Sequence, residues 1–102
     1  MDKLFYQCGD FRIDPANRRL TRAAAEIALE PKAFATLVLL IQRAGDLVTR
    51  DELLDGVWGN EVYVDERTVD VHIGRLRKAL VRAWRADPIR TVRGAGYSFE
   101  AR

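Results

Sequence analysis

Residues 65–80 have the sequence Asp-Glu-Arg-Thr-Val-Asp-Val-His-Ile-Gly-Arg-Leu-Arg-Lys-Ala-Leu. The apolar residues of this stretch recur at helical spacing, which predicts an amphipathic helix with one side against a core. These core positions are Val69, Ile73, Leu76 and Leu80. At about 100° per residue, the opposite side carries Arg67, Val71, Gly74, Arg75 and Lys78. The positions flanking it are Thr68, His72, Asp70 and Arg77. The outward side is therefore basic and carries few bulky groups.

Two interpretations of this basic helix are open. It could enter the major groove of B-DNA, where arginine pairs with guanine O6 and N7 and a small apolar group such as Val71 contacts a thymine methyl. Alternatively, it could be an ordinary solvated helix face. The charge distribution favours the first interpretation, because residues 67–93 contain eight Lys or Arg and only two acidic residues.

The composition is that of one small globular domain. The chain has 102 residues, of which 48% are hydrophobic and 31% charged, with a net charge of +2. Cys8 is the only cysteine, so no internal disulfide can form and a reducing compartment is expected. The longest apolar run, Leu37 to Ile41, is far shorter than the roughly 20 residues that span a bilayer, and the N-terminus lacks signal-peptide features. We expect a cytoplasmic location.

The N-terminal region, residues 1–29, is predicted to be a four-stranded antiparallel meander, because short apolar segments alternate with turn residues. The fourth strand is placed at Ile27–Leu29. Ala23 to Ala25 would form the preceding turn, although alanine disfavours the positive φ of tight hairpins. A longer loop or a short helix is therefore expected there.

Residues 30–80 are predicted to form three helices. The first begins at Pro31 and ends at Ala44-Gly45. After a brief extended link at Leu47-Val48, the sequence Thr49-Arg-Asp-Glu52 is a capping box that begins the second helix, which ends near Trp58-Gly59. The third helix is the basic one, capped by Asp65.

The C-terminal residues 88–100 are predicted to form a hairpin. Asp87-Pro88 ends any preceding helix, and a strand, a glycine turn at 94–96 and a second strand follow. Together these elements predict an α+β winged helix-turn-helix fold over residues 1–102, with an N-terminal sheet, a three-helix core and a hairpin wing.

Three segments at matching separations resemble the OmpR/PhoB effector-domain family of bacterial transcription factors. They are Arg-Asp-Glu-Leu-Leu-Asp-Gly-Val-Trp-Gly at 50–59, Val-Tyr-Val-Asp-Glu-Arg-Thr-Val-Asp-Val-His-Ile-Gly-Arg-Leu-Arg-Lys-Ala-Leu at 62–80, and Ile-Arg-Thr-Val-Arg-Gly-Ala-Gly-Tyr-Ser-Phe at 89–99. The resemblance covers nearly the whole chain. It implies sequence-specific binding of double-stranded DNA by a transcriptional regulator, with a tandem dimer on a direct-repeat operator.

The resemblance also implies roles for individual residues. The base contacts in the major groove would be made by Asp70, Val71 and Arg75, and Arg93 would enter the minor groove. The phosphate contacts would be made by Trp58, Arg67, Thr68, His72, Arg77, Thr91 and Tyr97, to which the helix periodicity adds Lys78. The loop from Gly59 to Val64 would present Glu61 and Tyr63 to RNA polymerase, or would be a simple connector.

Two positions depart from the family pattern. Gly74 stands where close relatives often carry arginine, and Ser98 replaces a frequent basic residue of the wing. Each departure removes a possible phosphate contact, which predicts lower affinity. Gly74 also costs on the order of 1 kcal/mol of helix stability relative to alanine.

Other functional classes have less support. His72 is the only histidine and Cys8 the only cysteine, so no metal site is expected. Gly94-Ala95-Gly96 lacks the third glycine of a dinucleotide-binding loop and precedes a strand, so no cofactor is expected. No arrangement of titratable groups predicts an enzyme. The alternative to DNA binding is a winged-helix protein-interaction module, which would have an acidic or apolar third helix. Trp58 could equally be a simple core residue.

The resemblance implies a longer protein with one of two arrangements. Such a domain is joined either to an N-terminal phosphoacceptor receiver, as in two-component signalling, or to a C-terminal transmembrane sensor, as in CadC-like regulators. The first predicted strand starts by Leu4, directly after Met1, which favours the second arrangement. The domain would then be the cytoplasmic part of a membrane-anchored regulator.

Overall fold

The computed structural model describes residues 5–8, 10–59, 64–84 and 87–100. Its helices and strands confirm the predicted winged-helix α+β fold. The strands are β1 (Tyr6–Cys8), β2 (Phe11–Asp14), β3 (Arg19–Arg22), β4 (Ala25–Glu26), β5 (Val48–Thr49), β6 (Ile89–Val92) and β7 (Gly96–Phe99). The helices are α1 (Pro31–Gln42), α2 (Arg50–Leu53) and α3 (Glu66–Trp84), and a π-helical turn, Leu54–Trp58, continues α2.

The N-terminal sheet has the strand order β1-β2-β3-β4 with antiparallel pairing throughout. Phe11, Ile13 and Leu20 alternate with exposed polar residues and are each 1% exposed. This alternation is what a sheet with one buried face requires. The sheet therefore covers one side of the helical core.

The fourth strand differs from the prediction in position. It lies at Ala25–Glu26 instead of Ile27–Leu29, and the turn before it contains only Ala23 (φ 50°) and Ala24 (φ 68°). A two-residue hairpin of type I′ needs positive φ at both positions. We infer that pairing of β3 with β4 offsets the cost of that conformation, roughly 1–2 kcal/mol per residue. The expected longer loop or helix is therefore wrong.

The first helix packs one side into the core; it begins at the predicted Pro31 and ends at Gln42, before the predicted end at Ala44-Gly45. Pro31 occupies its first turn, where proline costs no hydrogen bond. The buried residues are Ala33, Phe34, Thr36, Leu37, Leu40 and Ile41. Beyond its end, the Gly45 N–H donates to the Phe99 carbonyl at 2.9 Å, which connects this corner to β7.

The second helix begins with the predicted capping box. The Glu52 N–H donates to Thr49 Oγ1 and the Thr49 N–H donates to Glu52 Oε1, each at 3.1 Å. The chain then widens into the π-helical turn, which the sequence pattern did not indicate, and ends at Gly59 with φ 61°. Trp58, the last residue of this turn, is 5% exposed.

The third helix buries the predicted stripe of Val69, Ile73, Leu76 and Leu80, each 1% exposed or less. Its start is fixed by Asp65, whose Oδ1 accepts from the Thr68 N–H at 3.2 Å. The helix continues to Trp84, four residues past the predicted Leu80, because no proline or glycine interrupts that segment. No helix within the described residues is long and apolar enough to cross a membrane.

The C-terminal sheet has three strands in the order β5-β7-β6. The link at Leu47-Val48 was predicted to be extended, but its pairing was not predicted: Val48 is opposite Tyr97, and Thr49 is opposite Gly96. A Cβ at Gly96 would lie 2.1 Å from the Val48 carbonyl oxygen. Only glycine permits this close approach of β7 to β5. The pairing of the two strands attaches the wing (residues 89–99) directly to the core.

We expect Gly74→Ala to raise the free energy of unfolding by about 1 kcal/mol, because alanine favours a helix interior and a Cβ at Gly74 would meet nothing within 4 Å. Gly96→Ala is the control with the same added methyl, and it should lower the free energy of unfolding. Urea unfolding measures both. Destabilisation by Gly74→Ala would show that the α3 surface is crowded there.

Candidate nucleic-acid interface

The exposed side of α3 carries the five residues predicted to face outward. We call this surface the basic face; it consists of Arg67, Val71, Gly74, Arg75 and Lys78. Val71 is 46% exposed although it is apolar, and the Arg75 side chain is 56% exposed. Arg67 and Lys78 are also exposed. Because the buried stripe lies on the opposite side, the basic face has a fixed orientation relative to the core.

Asp70 is the centre of a hydrogen-bonded cluster that joins three elements. Arg50 Nε of α2 donates to Asp70 Oδ1 at 2.9 Å, and the Tyr97 hydroxyl of β7 donates to the same oxygen at 2.5 Å. No hydrogen bond to Oδ2 is found among the described residues, and the side chain is 44% exposed. Asp70 therefore has a structural role through one oxygen, while the other remains available on the α3 surface.

The ionisation of this cluster follows from its contacts. Burial opposes ionisation of Asp70, but the hydrogen bonds from Tyr97 and Arg50 outweigh it and hold the pKa of Asp70 below 3.8. Burial and the bond to Asp70 raise the pKa of Tyr97 above 10.0. The hydrogen bond to Asp70 also raises the pKa of Arg50. A carboxylate, a neutral phenol and a guanidinium therefore coexist around neutral pH.

Arg77 binds the wing from the flank of α3. Its Nε lies 3.0 Å from Asp87 Oδ2, and its Nη2 donates to the Ile89 carbonyl at 2.8 Å and to Thr91 Oγ1 at 2.6 Å. Its guanidinium also lies 5.6 Å from the Tyr97 ring centre. Sequence reasoning placed Arg77 only as a phosphate contact, and the structure adds that it positions the wing.

A second cluster lies at the start of α1, where Glu30 faces α3. Arg75 Nη1 donates to Glu30 Oε2 at 3.2 Å and to Oε1 at 3.4 Å. His72 Nδ1 donates to the Thr68 carbonyl at 3.0 Å, and its Nε2 lies 4.0 Å from Glu30 Oε2. Sequence reasoning missed Glu30, because a contact across 45 residues leaves no local signal.

Trp58 is packed against both neighbouring helices. Its ring meets His72 edge to face at 5.1 Å between centres, and Lys32 Nζ lies 5.8 Å from its centre. With 5% exposure Trp58 is a core residue, which favours the core role over a phosphate contact.

The tip of the wing presents Arg93. The turn has Gly94 at φ 73°, and the Ala95 N–H donates to the Val92 carbonyl at 3.0 Å. Arg93 is exposed, whereas Ser98 on β7 is 4% exposed. The Ser98 side chain is therefore too buried to make a phosphate contact. Glu61 and Tyr63, predicted to face RNA polymerase, lie outside the described residues.

Comparison with known proteins gives consistent matches. The family model described as "Transcriptional regulatory protein, C terminal" matches residues 24–99. The phosphate regulon transcriptional regulatory protein PhoB of Rhizobium meliloti is 53% identical over 95 residues, which are 93% of this chain and 42% of that protein. The chain thus spans less than half the length of this curated relative.

Two solved structures share the fold at substantial identity. The Klebsiella pneumoniae RstA DNA-binding domain, in complex with the RstA box, aligns with a TM-score of 0.80 and 36% identity, covering 94% of this chain and 96% of that one. The DNA-binding domain of Escherichia coli CadC aligns with a TM-score of 0.83 and 30% identity, covering 94% and 91%.

The Asp70 cluster predicts a pH-dependent loss of stability in Tyr97→Phe. We expect a loss of about 1 kcal/mol at neutral pH, because a hydrogen bond to a partly exposed carboxylate disappears. The pKa of Asp70 is lowered, so this contribution is present above 3.8 and is lost as pH falls through the folded-state value. The pKa of Tyr97 is raised, so the contribution is present below 10.0 and is lost as pH rises through the higher folded-state value.

Urea unfolding of parent and variant from about pH 2 to pH 11 measures this difference. Tyr6→Phe, which removes a hydroxyl from half-buried β1, should show no such pH dependence. A Tyr97→Phe difference that stays constant into acid would contradict the dependence on ionised Asp70.

Proposed function

Because the chain belongs to the OmpR/PhoB-type family of DNA-binding domains of transcriptional regulatory proteins, we propose that it binds double-stranded DNA sequence-specifically. In this proposal α3 enters the major groove and Arg93 enters the adjacent minor groove. The family consists of transcription-factor domains, and the chain is not an enzyme. The regulation of transcription by a longer cytoplasmic protein is part of the same proposal.

The observation that carries this proposal is the basic face of α3. It lies opposite a stripe that is almost fully buried, so its side chains are presented on a rigid support. The RstA domain, which has the same fold, was solved in complex with its RstA box. A protein-interaction module would need an acidic or apolar surface at this place, and the exposed cations do not fit that alternative.

We assign base contacts to Val71, Arg75 and Asp70. Val71 suits a thymine methyl because it is apolar and exposed. Arg75 can donate two parallel N–H groups to guanine. Asp70 can accept from cytosine N4 through Oδ2, while Oδ1 remains bound to Arg50 and Tyr97.

We divide the proposed phosphate contacts into two groups. The exposed cations Arg67 and Lys78, with Thr68 beside them, would contact phosphates directly. The others are engaged within the protein, and we propose that they mainly position the first group and the wing. They are Trp58, His72, Arg77, Thr91 and Tyr97.

Two further partners belong to the proposal through the family alone. The domain would bind a direct repeat as a tandem dimer, and residues Glu61 and Tyr63 would contact RNA polymerase. Titrating a two-site duplex against a one-site duplex tests the first. Substituting both loop residues in a reconstituted transcription assay tests the second.

Arg75→Ala should separate base recognition from charge. Selection from a randomised duplex pool first defines the preferred site of the parent. On that site we expect the variant to lose roughly 1–3 kcal/mol and to lose preference at one base pair. Equal weakening on all sequences would assign Arg75 to phosphate.

Lys78→Ala is the matched control, because it removes one cation from the same face. It should weaken the preferred and random duplexes alike and lower the salt slope by about 1. An unchanged slope would exclude a phosphate contact by Lys78. No preference at all in the parent chain would reject the proposed function.

Arg93→Ala should remove a preference for A·T-rich flanks beside the major-groove site. Narrow A·T-rich minor grooves concentrate negative potential and attract an inserted arginine. Affinities for two duplexes that differ only in flank composition, at one salt concentration, measure this effect. If the flank preference persists in the variant, then Arg93 does not make the minor-groove contact.

A further inference from the structure

Glu30 occupies the N-cap position of α1 but does not cap it with its side chain. Its backbone is extended (φ −63°, ψ 151°), and no capping hydrogen bond from its carboxylate is formed. The backbone carbonyl accepts from the Phe34 N–H at 2.8 Å, so the helix start does not depend on the carboxylate. The side chain is therefore free to act elsewhere, and it reaches α3.

The contact with Arg75 uses one end of the guanidinium. Both Glu30 oxygens accept from Nη1, at 3.2 and 3.4 Å. Within the described residues, Nε and Nη2 of Arg75 make no hydrogen bond. These two nitrogens form the edge with two parallel N–H groups, which is the geometry that guanine O6 and N7 require. The carboxylate thus holds Arg75 while leaving a base-pairing edge open.

The pair has little value for folding, because both side chains are more than half exposed, at 55% and 56%. The negative charge of Glu30 matters more for DNA binding than for folding. A carboxylate beside the basic face repels phosphates in every complex, whatever the sequence. Fixing the orientation of Arg75 is favourable only where the correct base is present. Only the second effect increases the difference between specific and non-specific binding, because the repulsion acts equally on both complexes.

We infer that Glu30 is a specificity-determining residue that positions Arg75 toward the base pairs and keeps it from turning to a phosphate. This inference rests on the proposed DNA binding of α3. Glu30 is a positioning residue here, because it acts through Arg75.

The test compares Glu30→Gln with Glu26→Gln. Both changes remove one negative charge from exposed residues near each other in the chain, but Glu26 lies on β4. Dissociation constants are measured for the site selected by the parent and for a scrambled duplex. We expect Glu30→Gln to reduce the specific-to-random affinity ratio about two- to fivefold. Glu26→Gln should strengthen both complexes slightly and leave the ratio unchanged.

Two additional measurements connect the effect to Arg75. Site selection with Glu30→Gln should lose preference at the same base pair as selection with Arg75→Ala. In the Arg75→Ala background, Glu30→Gln should no longer change the ratio. Glu30→Asp keeps the charge but shortens the reach, and it should behave as Glu30→Gln does at that base pair. Thermal unfolding shows that the variants compared are folded.

The outcomes distinguish failure of the proposed DNA binding from failure of the role of Glu30. A parent chain with no preferred site rejects the proposed function, and the role of Glu30 with it. A parent with a preferred site and an unchanged ratio in Glu30→Gln rejects the role of Glu30 alone. An equal loss of ratio in Glu26→Gln, or an effect that persists without Arg75, also overturns the inference.

Discussion

Burial of the apolar stripe of α3 is the constraint on which the rest of the structure depends. Val69, Ile73, Leu76 and Leu80 have almost no exposed surface, and burying side chains of this size is worth roughly 1.5–3 kcal/mol each. Rotation of the helix about its axis would expose them. The orientation of the basic face is thus set by hydrophobic packing, while its chemistry is set by residues that contribute little to stability.

The polar contacts on the flank of the stripe determine how the wing lies relative to α3. Asp70 joins Arg50 and Tyr97, and Arg77 joins Asp87, Ile89 and Thr91. These bonds hold the basic face of α3 and the wing at a fixed separation. Such preorganisation is favourable for binding, because less conformational freedom is lost in the complex. Asp70, Arg77, Thr91 and Tyr97 are themselves candidate contact residues, whereas Arg50, Asp87 and Ile89 act only from beside them.

Much of this architecture follows from local sequence patterns. Helical periodicity predicted the buried side of α3, and the Thr49–Glu52 capping box predicted the start of α2, because both signals act within one or two turns. The pairing of β5 with β7 and the contact of Glu30 with Arg75 join residues far apart in sequence, so no local pattern encodes them. The alanine turn at 23–24 was mispredicted because cross-strand pairing outweighed a residue preference. The individual DNA contacts remain predictions.

The pairing of β5 with β7 has a consequence for the order of folding. The N-terminal sheet is built from pairings between strands that are neighbours in sequence, and these can form early. Val48 and Tyr97, by contrast, are separated by most of the helical core. During synthesis, β5 therefore cannot pair until β7 has left the ribosome. Asp70 likewise cannot accept its hydrogen bond from the Tyr97 hydroxyl until then. A nascent chain that still lacks β7 can form neither of these contacts, so the basic face and the wing reach their final arrangement only after β7 has been made.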